Sequence, residues 1–179
     1  MVKSRSRIYP LLTEVQIQQR VRELGAQITE DYAGKDLVVI GLLNGVYPFF
    51  ADLTRAIDLD LDVNFMRVAS YGGGLESTGE VKIIFDVDKS IRGRHTLVIE
   101  DIVDTGRSMA LLKRHLLARR AASVKICALV DKTGRREVDV QADYVGFRLD
   151  DGFLVGCGLD YAEDSRGLPG IYEMRVDGR

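Results

Sequence analysis

The sequence predicts an α/β fold: a mainly parallel central sheet flanked by helices, with a small hood laid over the end of the sheet. Two observations carry the sheet. Residues 37–43, 96–99 and 124–130 form runs that are apolar at nearly every position, as strands covered by helices on both faces must be. The first two runs each lead through turn-forming residues into an apolar periodicity of three and four, the strand, loop, helix order of a parallel sheet. A third observation predicts the hood: the last part of the chain abandons that alternation for short, aromatic-rich runs.

Length and charge narrow the field before any motif is read. A chain of 179 residues is one domain, able to bury roughly 70% of the surface its unfolded form exposes, and it needs no disulfide or metal to fold. Cys127 and Cys157 lie in apolar runs, and no signal peptide or membrane-length apolar segment is visible, which suggests a reduced, cytoplasmic protein. With 25 Lys+Arg against 27 Asp+Glu, nothing marks a general nucleic-acid or membrane surface. Lys3, Arg5 and Arg7 among serines read as a flexible tail over residues 1–8.

Taken in order, Thr13 and Gln16 form a capping-box pattern, and Ile17, Val21, Leu24 and Ile28 then mark the apolar stripe of a helix ending near Gly34. The strand at 37–43 ends in Asn44-Gly45-Val46, and Pro48 suits the first turn of a helix carrying Phe49, Phe50, Leu53 and Ile57. From those residues alone, Asn44 and Gly45 fit a plain βα turn or a ligand loop equally well. Leu61, Val63 and Phe65 alternate as a strand, and residues 81–85 form another. Between them, residues 70–79 hold three consecutive glycines in a polar stretch, read as a mobile loop.

The strand at 96–99 runs into Glu100, Asp101 and Asp104, then into Thr105-Gly106-Arg107-Ser108, after which Met109, Leu112 and Leu116 give a helical stripe. A helix start of this kind offers unpaired amides and the positive end of the helix dipole to a phosphate. Three carboxylates beside a phosphate site must face hydroxyls, a proton or a metal. The tripeptide Asp104-Thr105-Gly106 also occurs in aspartic proteases, but there it sits between strands of an all-β chain, and here a helix follows. An acidic βα turn with an ordinary N-cap is the duller alternative. His115 falls on the polar side of its helix and His95 before a strand, so proton transfer is sought among carboxylates.

Lys132 stands just beyond the strand at 124–130, where ligand-binding groups collect in open α/β sheets, though a surface lysine is the alternative. Residues 144–170 are read as the hood, with Asp150-Asp151-Gly152 as a turn and Phe153 serving either a flat ligand or the core. Neither a P-loop nor a dinucleotide glycine pattern is present, which removes support for nucleotide hydrolysis and hydride transfer.

The twelve residues from Val98 to Met109 resemble the phosphoribosyl-pyrophosphate motif of type I phosphoribosyltransferases. Their Glu-Asp-x-x-Asp-Thr-Gly form is similar to that of the 6-oxopurine branch, the hypoxanthine-guanine phosphoribosyltransferases. The resemblance implies purine salvage: hypoxanthine or guanine and phosphoribosyl pyrophosphate become IMP or GMP and pyrophosphate, with Mg2+, in a cytoplasmic homodimer or homotetramer that binds no nucleic acid or membrane. It implies that Glu100 and Asp101 hold the ribose, directly or through magnesium, that Thr105, Gly106, Arg107 and Ser108 bind the 5′-phosphate, and that Asp104 exchanges a proton at purine N7. It further implies pyrophosphate contacts at Asn44, Gly45 and Arg166, with a non-proline cis peptide at Leu43-Asn44. Members often carry Lys or Arg where this chain has Asn44. Lys132 is implied to contact the 6-oxo oxygen, Phe153 to stack on the purine, Leu154 to offer backbone groups, Asp160 to lie by magnesium and the 2-position, and Ser70-Tyr71 to begin a catalytic lid. The match is looser around Arg166, which follows Asp164 and Ser165 where the family usually has an aromatic.

A second reading keeps the fold without the chemistry, as a regulator that senses nucleotides while binding RNA or a protein partner. Such a protein is expected to carry a basic face, which the balanced charge does not suggest.

Overall fold

A computed structural model describes residues 6–71, 80–150, 152–160 and 164–176. The first strand, β1 (Ser6–Leu12), precedes helix α1 (Glu14–Asp31). Thr13 caps the helix as its sequence requires: its hydroxyl accepts from the Gln16 amide at 3.3 Å while the Gln16 side chain accepts from the Thr13 amide at 2.9 Å. Four stripe residues, Ile17, Val21, Leu24 and Ile28, are buried.

Next come β2 (Leu37–Leu43), α2 (Tyr47–Ala56), β3 (Asp62–Tyr71), β4 (Glu80–Phe85), β5 (His95–Val103), α3 (Arg107–Ala118), β6 (Ser123–Asp131) and β7 (Tyr144–Arg148). The main sheet has the order β4-β3-β2-β5-β6-β7, parallel throughout except for β4 at one edge. Alternate residues of β2 feed two separate cores. Val39 packs toward α1 and α2, together with Leu24, Phe49, Leu53 and Leu97, while Val38 and Ile40 pack toward α3 with Met109, Leu112, Leu116 and Val98. This two-sided burial is why the strand sequences are continuously apolar. The helices on the first face touch closely, since a Cβ on Gly25 would come within 2.5 Å of the Ala56 carbonyl oxygen.

The hood is a three-stranded antiparallel sheet in the order β1-β9-β8, built from β8 (Phe153–Val155) and β9 (Ile171–Val176). It differs from the expectation in two ways. The expected tail of residues 1–8 does not hold for Ser6, Arg7 and Ile8, which pair with Val176, Arg175 and Met174. Tyr144–Arg148 does not belong to the hood but is the sixth strand of the main sheet, parallel to β6. The connection between those strands holds one 3₁₀ turn (Thr133–Arg135) in place of a helix, so the alternation that marks a parallel strand is missing from the sequence. Gly146 in β7 lies so close to β6 that a Cβ there would come within 2.4 Å of the Leu129 carbonyl oxygen.

Candidate active site

The carboxyl ends of β2 and β5 lie side by side, because those strands are neighbours in a parallel sheet. Their loops enclose a cleft of about 260 Å³ whose lining includes Asn44, Gly45, Glu100, Asp101, Asp104, Thr105, Gly106 and Ser108. Two loops far apart in sequence are thus one site, at the sheet edge where open α/β folds bind ligands.

On the β2 side the Leu43-Asn44 peptide is cis, as the resemblance implied. Gly45 sits directly against the β5 side: a Cβ there would come within 1.8 Å of Asp101 Oδ2. Strand β5 runs further than residues 96–99, through Val103, so Glu100 and Asp101 stand on the strand and not in the loop after it. They are 7% and 8% exposed. The Glu100 carboxylate accepts from the Asp101 amide at 3.2 Å, and Asp101 Oδ1 accepts from the Ile102 amide at 2.8 Å. Burial, and then the neighbouring Asp101 charge, push the Glu100 carboxyl well above its ordinary pKa.

Asp104 has one carboxylate oxygen 3.2 Å from Arg135 Nη1. The other, Oδ1, is buried with no hydrogen-bond partner among the described residues. Gly106 takes φ +82° and starts α3 without a side-chain cap, the geometry in which helix-start amides bind an anion. The carbonyls behind this turn are all engaged. Val103 accepts from the Lys132 amide at 2.9 Å, Asp104 from Arg136 Nε at 3.2 Å, and Thr105 from the Glu137 amide at 3.0 Å. The segment after β6 therefore fixes the backbone of the loop from behind, and the Arg136 guanidinium continues to the Val140 carbonyl and the Asp131 carboxylate.

Arg107 departs from the rest of its motif: its guanidinium pairs with Glu137, and its side chain lines a neighbouring cavity with Val138 and Gln141. Lys132 is not a surface lysine. It is 4% exposed, and its ammonium donates to the Gly152 carbonyl, which ties the end of β6 to the segment before Phe153. Phe153 is 48% exposed, which removes it from the core, whereas Leu154 is buried.

Arg166 donates to the Gly158 carbonyl at 2.8 Å and pairs with Asp160 at 2.8 Å. A Cβ on Gly158 would come within 1.7 Å of the Gly45 carbonyl oxygen, so this strap of the hood rests on the β2 loop, backbone against backbone. Among the described residues no three His, Cys, Asp or Glu side chains gather around one point. Asp160 therefore joins Arg166, and the expected set of Glu100, Asp101 and Asp160 does not form a ready metal cage. Two buried carboxylates still fit a substrate-borne dication, which needs only one or two protein oxygens when phosphates complete its shell. Ser70 and Tyr71 end β3, and residues 72–79 of the expected lid lie outside the described residues.

Arg135, Arg136 and Glu137 escaped the sequence reading. The signal that could have found them is a charged run placed immediately after a strand end, next to Lys132.

The family model for the phosphoribosyl transferase domain matches residues 11–162. The hypoxanthine-guanine phosphoribosyltransferase of Bacillus subtilis is 48% identical over 161 residues, covering 90% of this chain and 89% of that protein. A bifunctional protein TilS/HprT of Listeria monocytogenes is also 48% identical over 161 residues, but the chain spans only 25% of its length. In three dimensions, the crystal structure of a hypoxanthine phosphoribosyltransferase from Staphylococcus aureus superposes with a TM-score of 0.89 at 47% identity, covering 93% of this chain and 91% of that one. No helix of the described residues is long and apolar enough to cross a membrane. With a matched family domain over most of its length, close relatives of full length and a cleft built from the same motif, the chain belongs to the phosphoribosyltransferase family, in its hypoxanthine-guanine branch.

Proposed function

We propose that this protein is a purine-salvage enzyme that converts hypoxanthine or guanine and phosphoribosyl pyrophosphate to IMP or GMP and pyrophosphate, acting in the cytoplasm as a homodimer or homotetramer. One observation carries the reading: the β5 carboxylates, the start of α3 and the Asn44-Gly45 loop surround a single cleft.

In this mechanism Glu100 and Asp101 hold the ribose hydroxyls. Thr105, Gly106 and Ser108 take the 5′-phosphate, and Arg107 contributes its main chain, since Glu137 engages its guanidinium. These contacts fix the anomeric carbon against the base. Lys132 hydrogen-bonds the 6-oxo oxygen, Phe153 stacks on the ring, Leu154 offers backbone groups to its edge, and Asp160 lies by the 2-position. Purine N9 forms its bond to the anomeric carbon as the bond to pyrophosphate breaks, and the N7 proton passes to Asp104. Amides at Asn44-Gly45 and the Arg166 guanidinium receive the growing negative charge on pyrophosphate. Glu100 and Asp101 would hold the magnesium carried by the substrate, which would supply charge neutralisation. Ser70 and Tyr71 begin the lid that keeps water out.

The test is an ultraviolet assay of the purified protein with phosphoribosyl pyrophosphate, magnesium and each of hypoxanthine, guanine and xanthine. Turnover of hypoxanthine or guanine is the expected result. Absence of nucleotide from all three bases overturns the reading.

A further inference from the structure

Resting on the reading above, we propose that Arg135 is a positioning residue for the N7 proton transfer, acting on the reaction only through Asp104. The carboxylate of Asp104 is held unevenly. Oδ1 is buried without a hydrogen-bond partner among the described residues, and Oδ2 stands 3.2 Å from Arg135 Nη1. A carboxylate in that state gains by rotating Oδ1 toward a donor, and that rotation takes away the base that N7 needs. Arg135 opposes that rotation, because its guanidinium on Oδ2 fixes the rotamer.

The surroundings single out Arg135 for this role. Arg136 faces the Asp104 backbone, not its carboxylate, and its guanidinium is occupied by Val140 and Asp131. Arg107 is turned to Glu137. Arg135 itself ends the 3₁₀ turn and its side chain is 55% exposed, so the pair adds orientation and charge without holding the fold together.

The experiment is a double-mutant cycle with Arg135→Met, Asp104→Asn and the combined variant, read as kcat with hypoxanthine and as KM for phosphoribosyl pyrophosphate. Arg135→Met is expected to lower kcat about two- to fivefold, the size of a half-exposed ion pair, with KM for phosphoribosyl pyrophosphate unchanged. In the Asp104→Asn background the same change is expected to have no further effect, and Arg135→Lys is expected to restore most of the loss. An equal fold loss in both backgrounds, or a raised KM for phosphoribosyl pyrophosphate, overturns the proposal while leaving the enzyme reading intact. Full activity of Asp104→Asn beside an active unmodified protein overturns the role of Asp104 and this proposal together. No turnover by the unmodified protein overturns the parent reading, and the proposal with it.

Discussion

Asp101 occupies the space beside Gly45 where any side chain would stand, its Oδ2 lying 1.8 Å from the position of an added Cβ. The β2 loop and the β5 strand end thus fit each other only because one of them lacks a side chain. Gly45→Ala must push the buried carboxylate aside or move the loop. A displacement of about 1 Å in a positioning group can cost on the order of 100-fold, so kcat/KM is expected to fall by about 10- to 100-fold. Steady-state kinetics beside a thermal melt check this: a change in kcat/KM with an unchanged Tm places the effect in the cleft.

Asp104→Asn keeps the shape of the side chain and removes its ability to take a proton. Turnover is expected to drop by about 10² to 10⁴, the usual contribution of a positioned acid or base, with little change in KM for phosphoribosyl pyrophosphate. A variant with unaltered kcat would remove Asp104 from proton transfer.

Glu100 gives a stability prediction whose sign follows from its raised pKa. Its carboxyl titrates in the folded chain well above the ordinary value of 4.5. Between that value and the raised one, the folded protein binds the proton that the unfolded chain has lost, so stability falls as pH rises through the window. The ligand-free protein should therefore be destabilised near neutral pH by its own active-site acid. Glu100→Gln removes that cost, and a rise in Tm at neutral pH is expected. The gain should vanish below about pH 4, where the native side chain is neutral in both states. Melting curves for the two proteins across that pH range supply the check.

The features that could be read from the sequence are those whose cause is local. The capping box at Thr13 and Gln16 lies within one helical turn, the two-sided strands declare themselves by their apolar runs, and most of one wall of the cleft is a contiguous stretch from Glu100 to Ser108. The features that escaped depend on distant partners. Strand β1 keeps Ile8, Tyr9 and Leu11 exposed at 41–43%, so its membership in the hood is decided by pairing with residues 171–176 at the other end of the chain and not by an apolar pattern. In the same way, Arg135 and Arg136 reach Asp104 across some thirty residues, so the charged run beside Lys132 marks a segment of interest without naming the partner it reaches.

Gly25 tests the scaffold independently of the cleft. An added methyl would stand 2.5 Å from the Ala56 carbonyl oxygen, so Gly25→Ala forces α1 and α2 apart. Overpacking of this kind costs about 1–3 kcal/mol, so Tm should fall by roughly 2–12 °C at the slope of 2–4 °C per kcal/mol. Because Ala56 ends α2, at the opposite end of that helix from the Asn44-Gly45 loop, kcat of the folded variant at low temperature is expected to stay within about twofold of the parent.

In the proposed mechanism Lys132 serves base recognition and not phosphate binding. Its ammonium is buried and donates to the Gly152 carbonyl, while its amide holds the Val103 carbonyl at the root of the phosphate loop. Lys132→Met preserves the amide and much of the side-chain volume but removes the charged donor. A hydrogen bond from a charged group contributes about 1.5–3 kcal/mol, so KM for hypoxanthine should rise by about 10- to 100-fold. The backbone bond to Val103 persists in the variant, so the affinity for phosphoribosyl pyrophosphate should change by less than about threefold. Equal losses for both substrates would mean that the lysine serves the architecture of the loop and not the choice of base.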